Sequence, residues 1–332
     1  MKLGILNEFN NKHDSYIKAC NDLNIEYCVV DIISDNWIDN IRKSKCDGYL
    51  VRPSDGKEAW KRMYDEKLYF IEKVLKIPIY PSYIEIFIYE NKKNMSYWLD
   101  INMLPHPKTW VFYSKDEALQ FVNNYKQFPL VFKTNLGSAA IGVKYINKKS
   151  HAIKLINRVF PKFRFYCRGY TKWRKTRYGV SYPVMDDKQY SYIIFQEKID
   201  VKVEWRIIKI GESYFGHQKL SDGKYHSGSG LVGWVEPPRE LLDLAKKVCE
   251  LGSFGSMDFD IFEDTKGNYY INEMQTVFGS YNPSQMYING RPGRFVEKNG
   301  EWVFEEGYFN QNRSYNLRVE DFVKQMEKRQ RA

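Results

Sequence analysis

Residues 255–275 read GSMDFDIFEDTKGNYYINEMQ. Two runs of mixed apolar and polar residues flank Asp264-Thr265-Lys266-Gly267, a polar turn ending in glycine, which is the pattern of an antiparallel hairpin. Strand side chains alternate between faces, so Asp258 and Asp260 share one side of the first strand, and Glu273 and Gln275 share one side of the second. The hairpin is expected to bring Asp258 close to Glu273. Hard oxygen ligands of this kind suit Mg²⁺, which fills its other positions with water and phosphate oxygens. An exposed polar strand face would explain one such pair, but both strands otherwise read as core.

Working upstream, Val203–Ile210 (VEWRIIKI) reads as a strand carrying Arg206, with Ser213–Lys219 as its hairpin partner across Gly211-Glu212. A guanidinium there suits a phosphoryl or acyl-phosphate oxygen. Phe195-Gln196-Glu197-Lys198-Ile199 reads as a strand leading into a link between lobes. Pro129–Lys133 (PLVFK) is a buried strand ending in a charge, followed by Thr134-Asn135-Leu136-Gly137-Ser138-Ala139-Ala140-Ile141-Gly142-Val143. Small residues let backbone N–H groups approach phosphate oxygens. The lysine precedes the glycines, so this is not the Gly-x-x-x-x-Gly-Lys-Ser type of loop.

At the start of the chain, strand-like runs at Lys2–Leu6, Glu26–Ile32, Gly48–Val51 and Ile77–Tyr80 alternate with helical stretches, the clearest being Glu58–Leu75. This predicts a small α/β lobe with a largely parallel sheet. No GxGxxG follows the first strand, so a dinucleotide fold is not indicated. A helix is expected from Asn91-Lys92-Lys93 through Leu99, broken by Leu104-Pro105-His106-Pro107. A strand follows at Thr109–Tyr113, then a helix opened by a Ser114/Glu117 capping box. Pro237-Pro238 opens a helix through Leu251, and Val319–Ala332 is a charged helical tail.

The chain has 332 residues, which favours two or three lobes, and 43% of them are hydrophobic, the proportion of a folded protein. The formal charge of +10 favours anionic partners without choosing among them. Five cysteines, with no CxxC pair, argue against a zinc or disulfide scaffold. No signal peptide and no membrane-spanning run is evident, and a cytoplasmic protein is the expectation.

Six stretches in order, Asn91-Lys92, PLVFK with TNLGSAAIGV, IIFQEKI, EWRIIKIG, GSMDFDIF and YINEMQ, resemble the ATP-grasp superfamily, most nearly its amide-forming carboxylate–amine ligases. The resemblance spans about residues 91–275. It implies an α/β and α+β architecture, with a parallel-sheet lobe at 1–90, a central lobe at 91–200 holding the phosphate-covering loop 134–143, and a C-terminal lobe at 201–332 with a magnesium site. It further implies that Lys92 and Lys133 contact ATP phosphates beside Gly137, Ser138 and Gly142. By the same resemblance Gln196, Glu197 and Ile199 lie at the adenine hinge, and Asp200 or Glu204 reaches the ribose. Arg206 matches the basic residue after the hinge, and Asp258 and Glu273 look like ligands of what are commonly two Mg²⁺ ions. Gln275 stands where the family commonly has asparagine, and the proline-glycine turn that usually follows is replaced by Thr276–Pro283.

The resemblance implies a ligase that activates a carboxylate as an acyl phosphate and joins it to an amine, with Arg206, Lys133 and Lys219 as catalytic residues. Alternatives are a kinase on the same scaffold and a non-catalytic protein binding anions or nucleic acid. Lys162–Arg177 (KFRFYCRGYTKWRKTR) holds seven basic residues and no acidic one, and reads either as a solvated hairpin of the ATP lobe or as a dock for an anionic substrate or carrier; nucleic acid or a membrane surface is the weaker reading. His226, Ser227 and Ser229, and further on Arg291 and Arg294, are candidate substrate contacts. Amino acids, peptides and sugar acids or polymer-linked precursors stay open as substrates, as does a homo-oligomer.

Overall fold

The computed structural model describes residues 1–137, 142–161, 176–177, 180–181, 189–220 and 231–331. The first unit alternates β1 (Lys2–Leu6), α1 (Asp14–Asp22), β2 (Glu26–Val30), α2 (Trp37–Ser44), β3 (Gly48–Leu50), α3 (Glu58–Tyr69) and β4 (Ile79–Tyr80). Its strands pair in parallel in the order β2-β1-β3-β4, as the alternation predicts. A π-helical turn, Phe70–Val74, ends α3. The chain reverses direction across the sheet between β1 and β3, and in open α/β sheets the crevice beyond such a switch point is where ligands bind. Glu8 and Arg52 stand there, and Ser54 Oγ donates to Glu8 Oε2 at 2.7 Å.

Helices α4 (Tyr83–Ile88) and α5 (Lys92–Ile101) lead into the second unit: β5 (Thr109–Phe112), α6 (Lys115–Asn124), β6 (Leu130–Lys133), β7 (Lys144–Ile146), α7 (Lys149–Val159), the short pair β8 (Thr176–Arg177) and β9 (Val180–Ser181), and β10 (Ile193–Glu197). An antiparallel sheet ordered β5-β10-β6-β7 packs on α6 and α7 through Leu130, Phe132, Phe195, Ala118, Val122, Ala152 and Ile156. Ser114 caps α6 by accepting the Glu117 N–H at 3.4 Å.

The third unit comprises β11 (Val201–Ile210), β12 (Ser213–Lys219), β13 (Val232–Gly233), α8 (Arg239–Gly252), β14 (Ser256–Asp264), β15 (Tyr269–Gln275), β16 (Tyr287–Ile288), β17 (Arg291–Lys298), β18 (Glu301–Glu306) and α9 (Tyr315–Arg331). Its sheet runs β15-β14-β11-β12-β17-β16, with β13 on β12 and β18 on β17. Trp205, Ile207, Met257, Phe259, Ile261 and Met274 join Leu241, Leu242, Ala245 and Val248 of α8 in one core. The opposite face of the same strands is left for polar residues.

Two further elements complete the fold. The Arg291–Arg294 segment forms part of strand β17, with Gly290 taking the positive φ of +79° in the turn before it. The tail helix begins at Tyr315 and packs on the N-terminal unit, although the sequence places it with the C-terminal lobe. Tyr315, Val319, Phe322 and Met326 recur at helical spacing and share a core with Leu3, Ile5, Tyr16 and Leu50. Phe322 also fills the space above Gly48, where an added Cβ would lie 2.6 Å from its ring. Phe322→Ala should therefore cost about 3–5 kcal/mol in denaturant unfolding; a loss within experimental error would show that α9 is not part of this core.

Candidate active site

Register explains how the sequence gathers charge on one face of the third sheet. Directly opposed residues across β12, β11, β14 and β15 form a rung of His217, Arg206, Asp260 and Glu273. The next rung is Phe215, Ile208, Asp258 and Gln275, and on the other side Lys219 opposes Glu204. Opposed side chains project to the same side of a sheet. The hairpin therefore sets Glu273 directly opposite Asp260 and Gln275 opposite Asp258, with Glu273 diagonal to Asp258 and close enough to act on its carboxyl, as the sequence suggests. The cause is an irregularity: Asp260 pairs with Glu273 but Ile261 pairs with Ile271, so Asn272 is an extra residue in β15. The bulge lets Ile271 and Met274 both enter the core while Glu273 and Gln275 stay on the charged face.

The charges on this face are largely self-neutralised. Arg206 grips Asp260 with two hydrogen bonds, Nε to Oδ1 at 2.9 Å and Nη2 to Oδ2 at 3.1 Å. Lys219 Nζ donates to Asp260 Oδ2 at 2.6 Å and to Glu204 Oε1 at 2.5 Å. Burial works against the Asp260 carboxylate, but Arg206 and Lys219 hold it well below its ordinary range. Asp258 is the opposite case. Burial drives its carboxyl well up, and Arg206 only partly offsets this. Among the described residues neither carboxyl oxygen of Asp258 has a hydrogen bond, since its nearest cation, Arg206 Nε at 3.2 Å, donates to Asp260 instead. His217 is kept neutral, pushed down to about 3 by burial and then by Arg206. Its Nδ1 contacts the Gln285 carbonyl at 3.1 Å, and its buried Nε2 has no partner.

The second unit brings two lysines to this face. Lys133 ends β6, and its Nζ donates to Asn272 Oδ1 at 2.9 Å, so the bulge residue joins the two sheets. Lys92, at the start of α5, donates from Nζ to the Gly137 carbonyl at 2.6 Å. Burial, then the neighbouring Lys92, push the Lys133 ammonium down to about 8. The Gly137 N–H is taken by Glu90 Oε2 at 3.3 Å. Burial pushes the Glu90 carboxyl up to about 7, against the pull of Lys92. Gly142 closes the loop on Thr134: its φ is +81°, and a Cβ would sit 1.8 Å from Thr134 Oγ1, so no other residue fits there.

Other sequence candidates are placed as follows. Gln196 is buried and donates to Thr109 Oγ1 at 2.9 Å, while Glu197 Oε1 accepts the Lys108 N–H at 2.6 Å. Ile199 is half-buried. Asp200 is exposed and paired with Lys198, whereas Glu204 lies on the charged face. Arg294 is held by Glu305 at 2.9 Å and Ser213 at 2.9 Å, and Arg291 is exposed on the same strand. Ser213 opposes Ile210, four residues from Arg206 and so about 13 Å along the strand; the structure does not bring Arg294 into the cluster. Ser138, His226, Ser227, Ser229 and residues 162–175 lie outside the described residues. Asp260, His217, Asn272 and Glu90 are site residues that the sequence reading did not select. Alternation already put Asp260 on the right face; nothing local marks the other three.

Among the described residues, no three His, Cys, Asp or Glu side chains converge as a ready cation cage. Mg²⁺ does not require one, because it binds through one or two carboxylates and keeps water and phosphate as its other ligands. The unbonded oxygens of Asp258, beside Asp260, Glu273 and Gln275, are a donor set that fits such an ion.

No family model matches the sequence, and no curated protein matches it. Solved structures do. D-alanine–D-alanine ligase from Bacillus anthracis covers 99% of this chain and 99% of its own, with a TM-score of 0.54 and 13% identity. N5-carboxyaminoimidazole synthetase from Staphylococcus aureus, complexed with ADP, covers 96% of this chain and 76% of its own, with a TM-score of 0.57 and 11% identity. A RimK domain ATP-grasp protein from Sphaerobacter thermophilus DSM 20745 covers 82% and 90%, with a TM-score of 0.54 and 12% identity. The chain has the ATP-grasp fold.

Lys133 supplies a pH signature. Its proton is lost as pH rises through about 8, so affinity for an anion beside it, with inorganic pyrophosphate as the probe, should fall between roughly pH 7 and 9. Lys133→Arg stays charged throughout and should flatten that profile. The same slope in both proteins, measured by calorimetric titration, would remove Lys133 as the titrating phosphate contact.

Proposed function

We propose that this chain is an ATP-dependent ligase that activates a carboxylate as an acyl phosphate and joins it to an amine. The observation that carries the reading is the single charged face, where Lys92 and Lys133 from one unit meet Arg206, Lys219, Asp258, Asp260 and Glu273 from another. Cations and carboxylates side by side suit a metal-bound polyphosphate better than a free anion. The ATP-grasp fold supports it, and so does the presence among its structural neighbours of enzymes named as ligases and synthetases.

In this reading Lys92 and Lys133 hold the outer phosphates beneath the Gly137–Gly142 loop. A carboxylate oxygen of the substrate attacks the terminal phosphorus, the bond to the bridging oxygen breaks, and ADP leaves. The amine nitrogen then attacks the acyl carbon, loses a proton, and inorganic phosphate departs. Arg206 and Lys219 stabilise charge on the transferred phosphoryl group in both steps. Glu273, Asp258 and Gln275 would hold Mg²⁺, which when bound neutralises charge shared by the last two phosphates. The glycine loop excludes water from an intermediate that hydrolyses easily. Arg52, at the switch point of the first sheet, makes no ion pair within 4 Å among the described residues. Its side chain is held near Glu8, Asp55 and Tyr315. It is the side chain best placed to receive the substrate carboxylate.

Glu273→Ala and Lys133→Ala should each lower ATP turnover by at least about a hundredfold while leaving the melting curve intact. Well-folded variants with ordinary turnover would sink the site assignment. The reaction class is checked by screening carboxylate and amine pairs for phosphate release with mass analysis of the product. An amide, with ADP and phosphate in equal amounts, is expected; a phosphorylated acceptor and no amide would make the enzyme a kinase.

A further inference from the structure

A cavity of about 530 Å³ lies between α3 and the α4–α5 turn, within the size range of small-ligand sites. Glu90, Asn91, Asn135 and Leu136 form its border with the phosphate loop. Asn135 Oδ1 accepts the Lys93 N–H at 3.0 Å, and Glu90 holds the Gly137 N–H, so the same residues line the cavity and shape the start of the loop.

One wall is aromatic. The rings of Tyr83 and Phe87 stack at 5.6 Å, and Tyr69 meets Tyr83 edge-on at 5.6 Å. Phe87 and Tyr69 are both more than a third exposed, so the wall presents aromatic surface to the cavity. The cationic side chains around the cavity are committed elsewhere. Lys61 pairs with Asp65 at 2.5 Å, Arg62 pairs with Glu58 at 3.0 Å, and the Lys93 ammonium lies 3.9 Å from the centre of the Tyr192 ring.

What is left over is negative. Glu66 forms no ion pair among the described residues. Glu90 is more than nine-tenths buried and lines the cavity, yet among the described residues only its Oε2 accepts a hydrogen bond and Oε1 accepts none. The nearby Lys92 ammonium is given to the Gly137 carbonyl and that of Lys61, which also feels Glu90, to Asp65, while Glu273 and Asp55 add negative charge around Glu90. The Glu90 backbone is held at φ +48°, a region costly for a residue with a side chain.

We propose that this cavity binds a small organic ammonium, its charge on Glu90 and its apolar body against Tyr83 and Phe87. A buried carboxylate with one bare oxygen recognises an ammonium N–H, and aromatic faces attract both the cation and its hydrocarbon. Identifying the occupant as the amine substrate rests on the ligase reading. On that reading the cavity delivers the amine at the edge of the Lys92–Glu273 face, near Asp55, which also neighbours Arg52 at the first sheet's switch point.

Calorimetric titration of the full chain with benzylamine and with benzyl alcohol tests this. Benzylamine should bind roughly tenfold or more tightly than benzyl alcohol. Glu90→Gln keeps an acceptor for Gly137 and should lose that preference, and Phe87→Ala should weaken both probes. Equal affinity for the two probes, absence of benzylamine binding, or a well-folded Glu90→Gln protein that still prefers benzylamine would overturn the proposal. Two further outcomes separate it from the ligase reading. If benzylamine binds through Glu90 but no amine stimulates phosphate release, the cavity stands and the ligase reading falls. If amines stimulate phosphate release with a KM unchanged by Glu90→Gln, the ligase reading stands and this site falls.

Discussion

The contact on which the site depends is the buried grip of Arg206 on Asp260, shared with Lys219. A charge taken out of water is costly unless it is paired and hydrogen-bonded. Here one aspartate satisfies two cations, and the pairing locks β11, β12 and β14 into one register, because a shift of one residue would turn every one of these side chains into the core. It also decides what its neighbours can do. With Arg206 committed to Asp260, Asp258 is left without a donor and Glu273 without a cation among its hydrogen bonds. Those are the groups that an incoming metal ion would satisfy.

A second buried knot sets the lobes around that face. Ser256, fully buried at the start of β14, donates its N–H to Glu85 Oε1 at 2.8 Å. Its carbonyl accepts the Thr276 hydroxyl at 2.6 Å, and its own hydroxyl accepts from Arg318 Nε at 3.2 Å. One residue thus ties α4, the end of β15 and α9 together. Since α9 also completes the core of the first unit, movement of that unit against the charged face would break contacts at both ends of the helix.

The strands were legible because apolar alternation is a local property. GSMDFDIF, VEWRIIKI and PLVFK each form the strand their pattern predicts, and the shared face of Asp258 and Asp260 follows directly. Pairing is not local. The opposition of Glu273 to Asp260 depends on a bulge at Asn272, and no residue type announces one there. The placement of α9 was hidden for a similar reason: its apolar stripe was visible, but the surface that receives it is some three hundred residues away in the sequence, as the Asn312 to Asp22 hydrogen bond at 2.7 Å illustrates. The adenine hinge and the loop residues rested on likeness to a family, and Gln196 and Glu197 spend their side chains on β5.

Net charge was a poor guide to the ligand, and the local balance is a better one. The chain carries +10 overall, yet the cations Lys92, Lys133, Arg206 and Lys219 face the carboxylates of Glu90, Glu204, Asp258, Asp260 and Glu273. A free polyanion entering such a place meets carboxylates as well as lysines, and its repulsion by Glu273 offsets part of what Lys133 supplies. A divalent ion arriving with the phosphates reverses the sign of that term, because the same carboxylates then bind the ion. The unpaired oxygens of Asp258 are thus better understood as selectivity than as a defect. On the ligase reading proposed above, they would favour the phosphate chain with its metal over the bare chain, while the buried, already paired Asp260 holds Arg206 and Lys219 in position.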